Sequence, residues 1–190
     1  MTIARPAVFL DRDGTINVDT DYVSRPEEVV LIPGVAPAIA RLNDRALPVI
    51  VVSNQSGIGR GYFSTEDYER VRTRIDALLA EEGAHLDATY VCPHAPSDSP
   101  RCECRKPRTL LFRRAADEHG LDLARSWYVG DKLRDVEPSR TLGGRGILIR
   151  GPATPPDDER HARPYFPVVD TLADAVDHIL DALTPASPQG

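Results

Sequence analysis

At 190 residues the chain is long enough to bury a full core as one domain and short for two. Its composition, 41% hydrophobic and 27% charged, is that of an ordinary globular protein, and a net charge of -6 gives it no general attraction for nucleic acid or anionic membrane. The opening apolar run is too short for a signal peptide and nowhere do about 18 apolar residues stand together as a membrane span requires, so a cytoplasmic protein is expected.

Five short apolar runs read as buried parallel strands: 7–10 (AVFL), 48–52 (PVIVV), 88–92 (ATYVC), 126–130 (SWYVG) and 146–149 (GILI). Helical segments alternate with them. Residues 33–46 place Val35, Ile39 and Leu42 on one face, and a second helix starts at Ser64 as cap and turns Tyr68, Val71, Ile75, Leu78 and Leu79 inward. A third follows Pro107, covers Leu111 and Ala115 and stops at Gly120. The helix after Asp135 is short and ends by Gly143. Five prolines and the charged run DDER break the pattern between 151 and 167, which is therefore expected to be irregular, and the run TLADAVDHILDAL forms the closing helix. The expected fold is α/β, a central parallel sheet flanked by helices, as a single domain over 1–183 with a flexible tail at 184–190. The long loops, 14–32, 93–106 and 150–167, are where function is expected.

The first strand ends in Asp11 and Asp13, which in an extended chain point the same way, with Gly14 letting the backbone turn beneath a ligand. In open parallel sheets, ligands bind outside the carboxyl ends of the strands. Two adjacent carboxylates repel unless a cation joins them, and magnesium takes a few such oxygens while keeping waters for a phosphate to replace. The fourth strand repeats the design with Gly130 and Asp131, and Asp135 follows four residues on. The second strand runs into SNQSGIGRG, whose small side chains and glycines expose backbone N–H groups to phosphoryl oxygens. In CRKP, Arg105 offers a bidentate fork and Lys106 a compact charge for the same phosphate.

Taken in this order, FLDRDGT, VVSN, Lys106 and VGDKLRD resemble the four motifs of the haloacid dehalogenase (HAD) superfamily of phosphatases, over nearly the whole chain up to Ile149. DRDGTINVDTDYV, SNQSGIGRGYF, CPHAP with CECRKP, and VGDKL further resemble its heptose bisphosphate phosphatase branch, and less closely the histidinol phosphatase branch. The resemblance implies that Asp11 attacks phosphorus to form an aspartyl phosphate while Asp13 carries the proton to the leaving oxygen and later from water. It implies magnesium on the Asp11 carboxylate, the Asp13 carbonyl and Asp131, with Asp135 behind them, and Ser53, Asn54 and Lys106 around the transferring phosphoryl group. The implied substrate is a small sugar bisphosphate contacted by Asp19, Thr20, Asp21 and Tyr22, by Ser53, Asn54, Gln55 and Ser56, and by Arg105, Lys106 and Lys132. No segment is large enough for a cap domain, so an open site is expected, on a monomer.

All three cysteines lie between 92 and 104 in a chain without an export signal. Cys92 and His94, then Cys102 and Cys104, form two close pairs separated by seven residues, a donor set that suits a closed, tetrahedral, structural zinc. Since Arg105 and Lys106 follow at once, the metal would also position them. A redox pair at Cys102 and Cys104 is the competing reading. The basic run Arg101, Arg105, Lys106, Arg108, Arg113 and Arg114 raises nucleic-acid end binding, against which stand the acidic balance and the absence of stacking aromatics nearby.

Overall fold

In a computed structural model of the protein, residues 4–98 and 102–184 are described; Arg101 and the expected tail beyond Thr184 lie outside them. The six strands are β1 (Val8–Leu10), β2 (Val49–Asn54), β3 (Ala88–Cys92), β4 (Trp127–Gly130), β5 (Arg145–Ile149) and β6 (Val168–Val169). All neighbours are parallel, in the order β3-β2-β1-β4-β5-β6. The chain first winds outward from β1 to β3, then returns to the other side of β1 and winds out again. The order therefore reverses between β1 and β4, and a crevice opens at their carboxyl ends, where such sheets take their ligands.

Alternation along each strand divides the interior. Val8, Leu10, Val49, Val51 and Val129 pack against α1 (Val35–Asp44), α3 (Thr65–Glu81) and α8 (Leu172–Leu183). On the other face Phe9 meets Phe112 edge-on at 5.2 Å and stacks on Tyr128 at 5.1 Å, under α4 (Leu110–His119). Ser64 caps α3 by accepting the Asp67 N–H at 3.1 Å, as its position before the apolar stripe predicts.

Three departures from the sequence reading share one cause, that short elements have too few residues to show a period. The loop after β2 contains one helical turn, α2 (Ser56–Gly59), and the segment after β4 is two short helices, α5 (Leu133–Val136) and α6 (Pro138–Leu142). Residues 151–167, expected to be irregular, hold α7 (Pro156–Ala162). Its proline sits in the first turn, where a missing N–H costs nothing, with Asp157, Asp158 and Glu159 beside it and Arg160 and His161 in the last turn, so the prolines and charges that break periodicity are themselves start and stop signals. The two-residue β6 then adds an edge strand. No helix among the described residues is long and apolar enough to cross a membrane.

Candidate active site

Asp11 is the first residue past β1, anchored by its N–H to the Val129 carbonyl at 3.0 Å, so the β1–β4 pairing fixes where its carboxylate begins. Asp131 stands in the matching place after β4, and α5 carries Asp135 back toward both. Ligand oxygens of Asp11, Asp131 and Asp135 all lie within 4.8 Å of one another. Two glycines make this convergence possible. A Cβ on Gly14, whose φ is +83°, would run into the Asp131 carboxylate, and one on Gly130 would strike the Asp135 side chain.

Lys106 reaches this floor from the loop before α4. Its Nζ lies 2.7 Å from Asp11 Oδ1 and 2.8 Å from Asp135 Oδ1, and it is 4% exposed. Burial works against its charge, but Asp11 and Asp135 outweigh it and raise the lysine above its ordinary pKa. Asp11 is raised too, by burial first and then by Asp135, with Lys106 opposing. Asp131 is pushed up to about 7 by burial and by its two acidic neighbours. One oxygen of Asp131, Oδ1, is buried without a hydrogen-bond partner. Lys106 serves Asp11 and Asp135, Lys132 lies against Asp131, and one Asp131 oxygen is left orphaned, so the donor set fits a hard divalent cation. Asp135, read from sequence as lying behind the metal, is a full member of this cluster, whereas the Asp13 carboxylate is not.

Asp13 instead faces a second network. Arg12 Nε and Nη2 donate to its Oδ1 at 3.0 and 2.9 Å, Asn17 Nδ2 donates at 3.0 Å, and Gln55 Nε2 donates to Oδ2 at 2.7 Å. Burial would raise Asp13, but the Arg12 charge and these bonds hold it below the usual carboxylate range. Arg12 and Asn17 were missed in the sequence because an arginine between two acids reads as a solvated charge; here Arg12 is 3% exposed, over the Tyr68 ring.

The loop after β2 is fastened rather than open. Gln55 Nε2 also donates to Ser53 Oγ at 2.7 Å. Asn54 Oδ1 accepts the Lys106 N–H at 3.0 Å, and its Nδ2 donates to the Lys106 carbonyl at 3.3 Å, so this side chain clamps the lysine backbone. Lys132 lies 3.2 Å from both Asp19 and Asp131. Above the acids opens a cavity of about 250 Å³ walled by Asp11, Asp13, Asp19, Asp21, Tyr22, Ser53, Asn54, Gln55, Ser56 and Arg105, together with Arg60, Pro96, Lys132 and Arg134. Thr20 is not in this wall. Arg60, Pro96 and Arg134 are, although the sequence reading gave them no role; Arg60 and Arg134 lie within SNQSGIGRG and VGDKLRD. Asp21 and Tyr22 both adopt left-handed backbone, at φ 57° and 61°, and the Tyr22 ring meets Tyr62 edge-on at 4.8 Å.

Beside this pocket, Cys92 at the end of β3 meets Cys102 at 3.4 Å, Cys104 at 2.8 Å and His94 Nδ1 at 3.6 Å. All four donors gather within 4.8 Å, and none of the thiols is in a disulfide. Burial raises Cys92, while Cys102 comes down to about 7 against burial through bonds from Cys104, Cys92 and the Arg105 N–H. Three buried thiols and an imidazole around one point fit a tetrahedral soft-metal site such as zinc. The link to the pocket is direct: Arg105 N–H donates to Cys102 Sγ at 3.3 Å and its guanidinium to the His94 carbonyl at 3.2 Å. The basic run is not one surface, since Lys106 is buried on Asp11 and Arg114 pairs with Glu118 at 2.7 Å.

Acids from two neighbouring strand ends stand against a buried lysine at the crevice of the sheet, and relatives named as phosphatases make the protein, in class, a phosphoric monoester hydrolase. A family model described as HAD-hydrolase-like matches residues 103–175. The chain is 46% identical over 154 residues to the D-glycero-beta-D-manno-heptose-1,7-bisphosphate 7-phosphatase of Mesorhizobium japonicum, covering 78% of this chain and 71% of the relative. With the enzyme of that name from Haemophilus ducreyi it shares 38% over 184 residues, 93% of this chain and 100% of the relative. The crystal structure of D,D-heptose 1,7-bisphosphate phosphatase from B. bronchiseptica, complexed with magnesium and phosphate, superposes with a TM-score of 0.85 at 33% identity, covering 93% of this chain and 99% of that one. The chain belongs to the heptose-1,7-bisphosphate 7-phosphatase family of HAD-like hydrolases.

Proposed function

We propose that the protein removes the C7 phosphate of D-glycero-D-manno-heptose 1,7-bisphosphate, in the supply of activated heptose, through a phosphoryl group carried on Asp11. The observation that carries this reading is the placement of Asp11: it bonds to Lys106, stands among the clustered acids and opens into a pocket whose far wall is cationic.

Asp11 attacks phosphorus as the bond from phosphorus to the C7 oxygen breaks, and that oxygen takes a proton from Asp13. Water then attacks the phosphorylated Asp11, Asp13 takes the proton, and inorganic phosphate leaves. Held below the usual carboxylate range by Arg12, Asn17 and Gln55, Asp13 is set in this state for the second half, as a base. Acting as the acid requires that the Arg12 contact loosen and the carboxyl protonate first. Lys106 donates to Asp11 and opposes the rise that burial and Asp135 impose on its pKa, and Asn54 holds Lys106 by both backbone groups. Magnesium bound by Asp11, Asp131 and the Asp13 carbonyl, with Asp135 alongside, would neutralise charge between the nucleophile and the phosphoryl oxygens. Zinc on Cys92, His94, Cys102 and Cys104 would hold Arg105 and Lys106 over the pocket. Action in the cytoplasm, as a monomer and without a nucleic-acid partner, completes the proposal.

Phosphate release measured across heptose 1,7-bisphosphate, heptose 7-phosphate and histidinol phosphate tests it. The bisphosphate should exceed both others by at least about tenfold in kcat/KM, as loss of one charge-assisted contact implies. Release from C1, or preference for histidinol phosphate, overturns the substrate.

A further inference from the structure

The wall of the catalytic pocket carries more positive charge than one phosphoryl group employs. Lys106 already serves the floor, and Lys132 is neutralised by Asp19 and Asp131. Arg105 gives one guanidinium bond to the His94 carbonyl. Arg60 and Arg134 remain in the wall, and among the described residues neither has a carboxylate or a side-chain hydrogen-bond partner. Elsewhere Arg25, Arg41, Arg72 and Arg114 each reach an acid within 2.7 Å, while Arg140 and Arg145 lie over aromatic rings.

The unpaired arginines also work against one another. Arg60, Arg105, Lys132 and Arg134 bring four cations into the lining of one pocket. Such repulsion destabilises the protein unless an anion enters among the cations. The Arg134 Nε–H, turned away from water, finds no acceptor, and a small swing of the side chain toward an oxyanion would give one. Guanidinium is suited to this because its planar fork meets two phosphate oxygens at once. Arg134 immediately precedes Asp135 on α5, so one short helix sends an acid to the floor and a cation to the wall.

We propose that Arg134, with Arg60, seats the anionic group of the substrate that is not transferred, and so sets the preference for doubly phosphorylated over singly phosphorylated sugars. This rests on the phosphatase reading of the site. It adds a specificity-determining residue, Arg134, to which the sequence reading gave no role although it lies within VGDKLRD.

The test is the ratio of kcat/KM for heptose 1,7-bisphosphate to that for heptose 7-phosphate, measured with magnesium-loaded full-length enzyme, wild type, Arg134→Met and Arg134→Lys. Arg134→Met should lower that ratio about tenfold or more, chiefly through KM for the bisphosphate, and Arg134→Lys should restore part of it, since charge remains while the fork is lost. A ratio within threefold of wild type in Arg134→Met, with an unaltered melting temperature, overturns the proposal. So does an equal fall for both substrates. If wild type proves not to prefer the heptose, the same ratio is taken with fructose 1,6-bisphosphate and its monophosphate carrying the scissile group, so the substrate reading and the Arg134 subsite fail separately.

Discussion

The acid floor, with three carboxylates, and the cysteine loop, with three thiols and an imidazole, are both clusters of potential ligands, yet they are held by opposite means. Asp11 and Asp131 begin where hydrogen-bonded strands end, and Lys106 already occupies the space among them, so that geometry is built from backbone register. Cys92 alone of the second cluster belongs to a strand; His94, Cys102 and Cys104 lie on a loop with little regular structure and gather on it through contacts among the sulfurs and the imidazole. The lesson is that ligands on strand ends are preorganised for chemistry, whereas ligands on a loop make the metal itself the organiser.

Replacing Asp11 by asparagine separates the two most sharply. Phosphatase activity should fall about a thousandfold or more, as on loss of a covalent nucleophile, with zinc content unchanged by elemental analysis. Near-normal turnover would remove Asp11 from the reaction.

Cys104→Ala attacks the other cluster. It should abolish stoichiometric zinc, lower the melting temperature and reduce kcat/KM about 10- to 100-fold, the usual cost of disturbing a supporting shell. Full zinc retention in this variant would show that the loop does not depend on its fourth ligand.

Gly14→Ala probes the strand-end site without touching a ligand. The left-handed φ and the collision with Asp131 should cost about 1 kcal/mol or more in chemical denaturation and about tenfold in activity, with more magnesium needed for half-saturation. The smallest effect is expected from Asn54→Ala, which frees the Lys106 backbone. A several-fold fall in kcat, about 1 kcal/mol, would place Asn54 as a brace; a selective rise in KM would instead place it on the substrate.

The parallel sheet was legible because its strands are continuous apolar runs and its acids sit at their ends, and Gly14 marked where the backbone turns; that Asp131 and Asp135 pass close over Gly14 and Gly130 is seen only in the structure. Asp135 was visible, but its depth was not, since four residues beyond a strand the chain can turn either way. Arg12, Arg60 and Arg134 were illegible for one reason: a charged side chain shows its meaning only through what surrounds it. Arg12 is buried on Asp13 because Tyr68 lies beneath it, and Arg134 faces the pocket because α5 is a single turn, facts of tertiary packing that no local pattern encodes.

The central place of β1 also has a meaning for synthesis. Its two neighbours arrive far apart in time, since β2 follows within about forty residues while β4 completes the pairing only once Gly130 is made. Lys106 is 95 residues from Asp11, and Ser126, which accepts the Ala7 N–H, is 119 residues from its donor. A growing chain thus holds Asp11 on a half-paired strand whose open edge must be kept from other chains while the second half is translated. Truncated products ending before β4 should accordingly be inert toward phosphate esters and prone to associate, which makes chemical competence a late event in the life of each molecule rather than one that accrues as it grows.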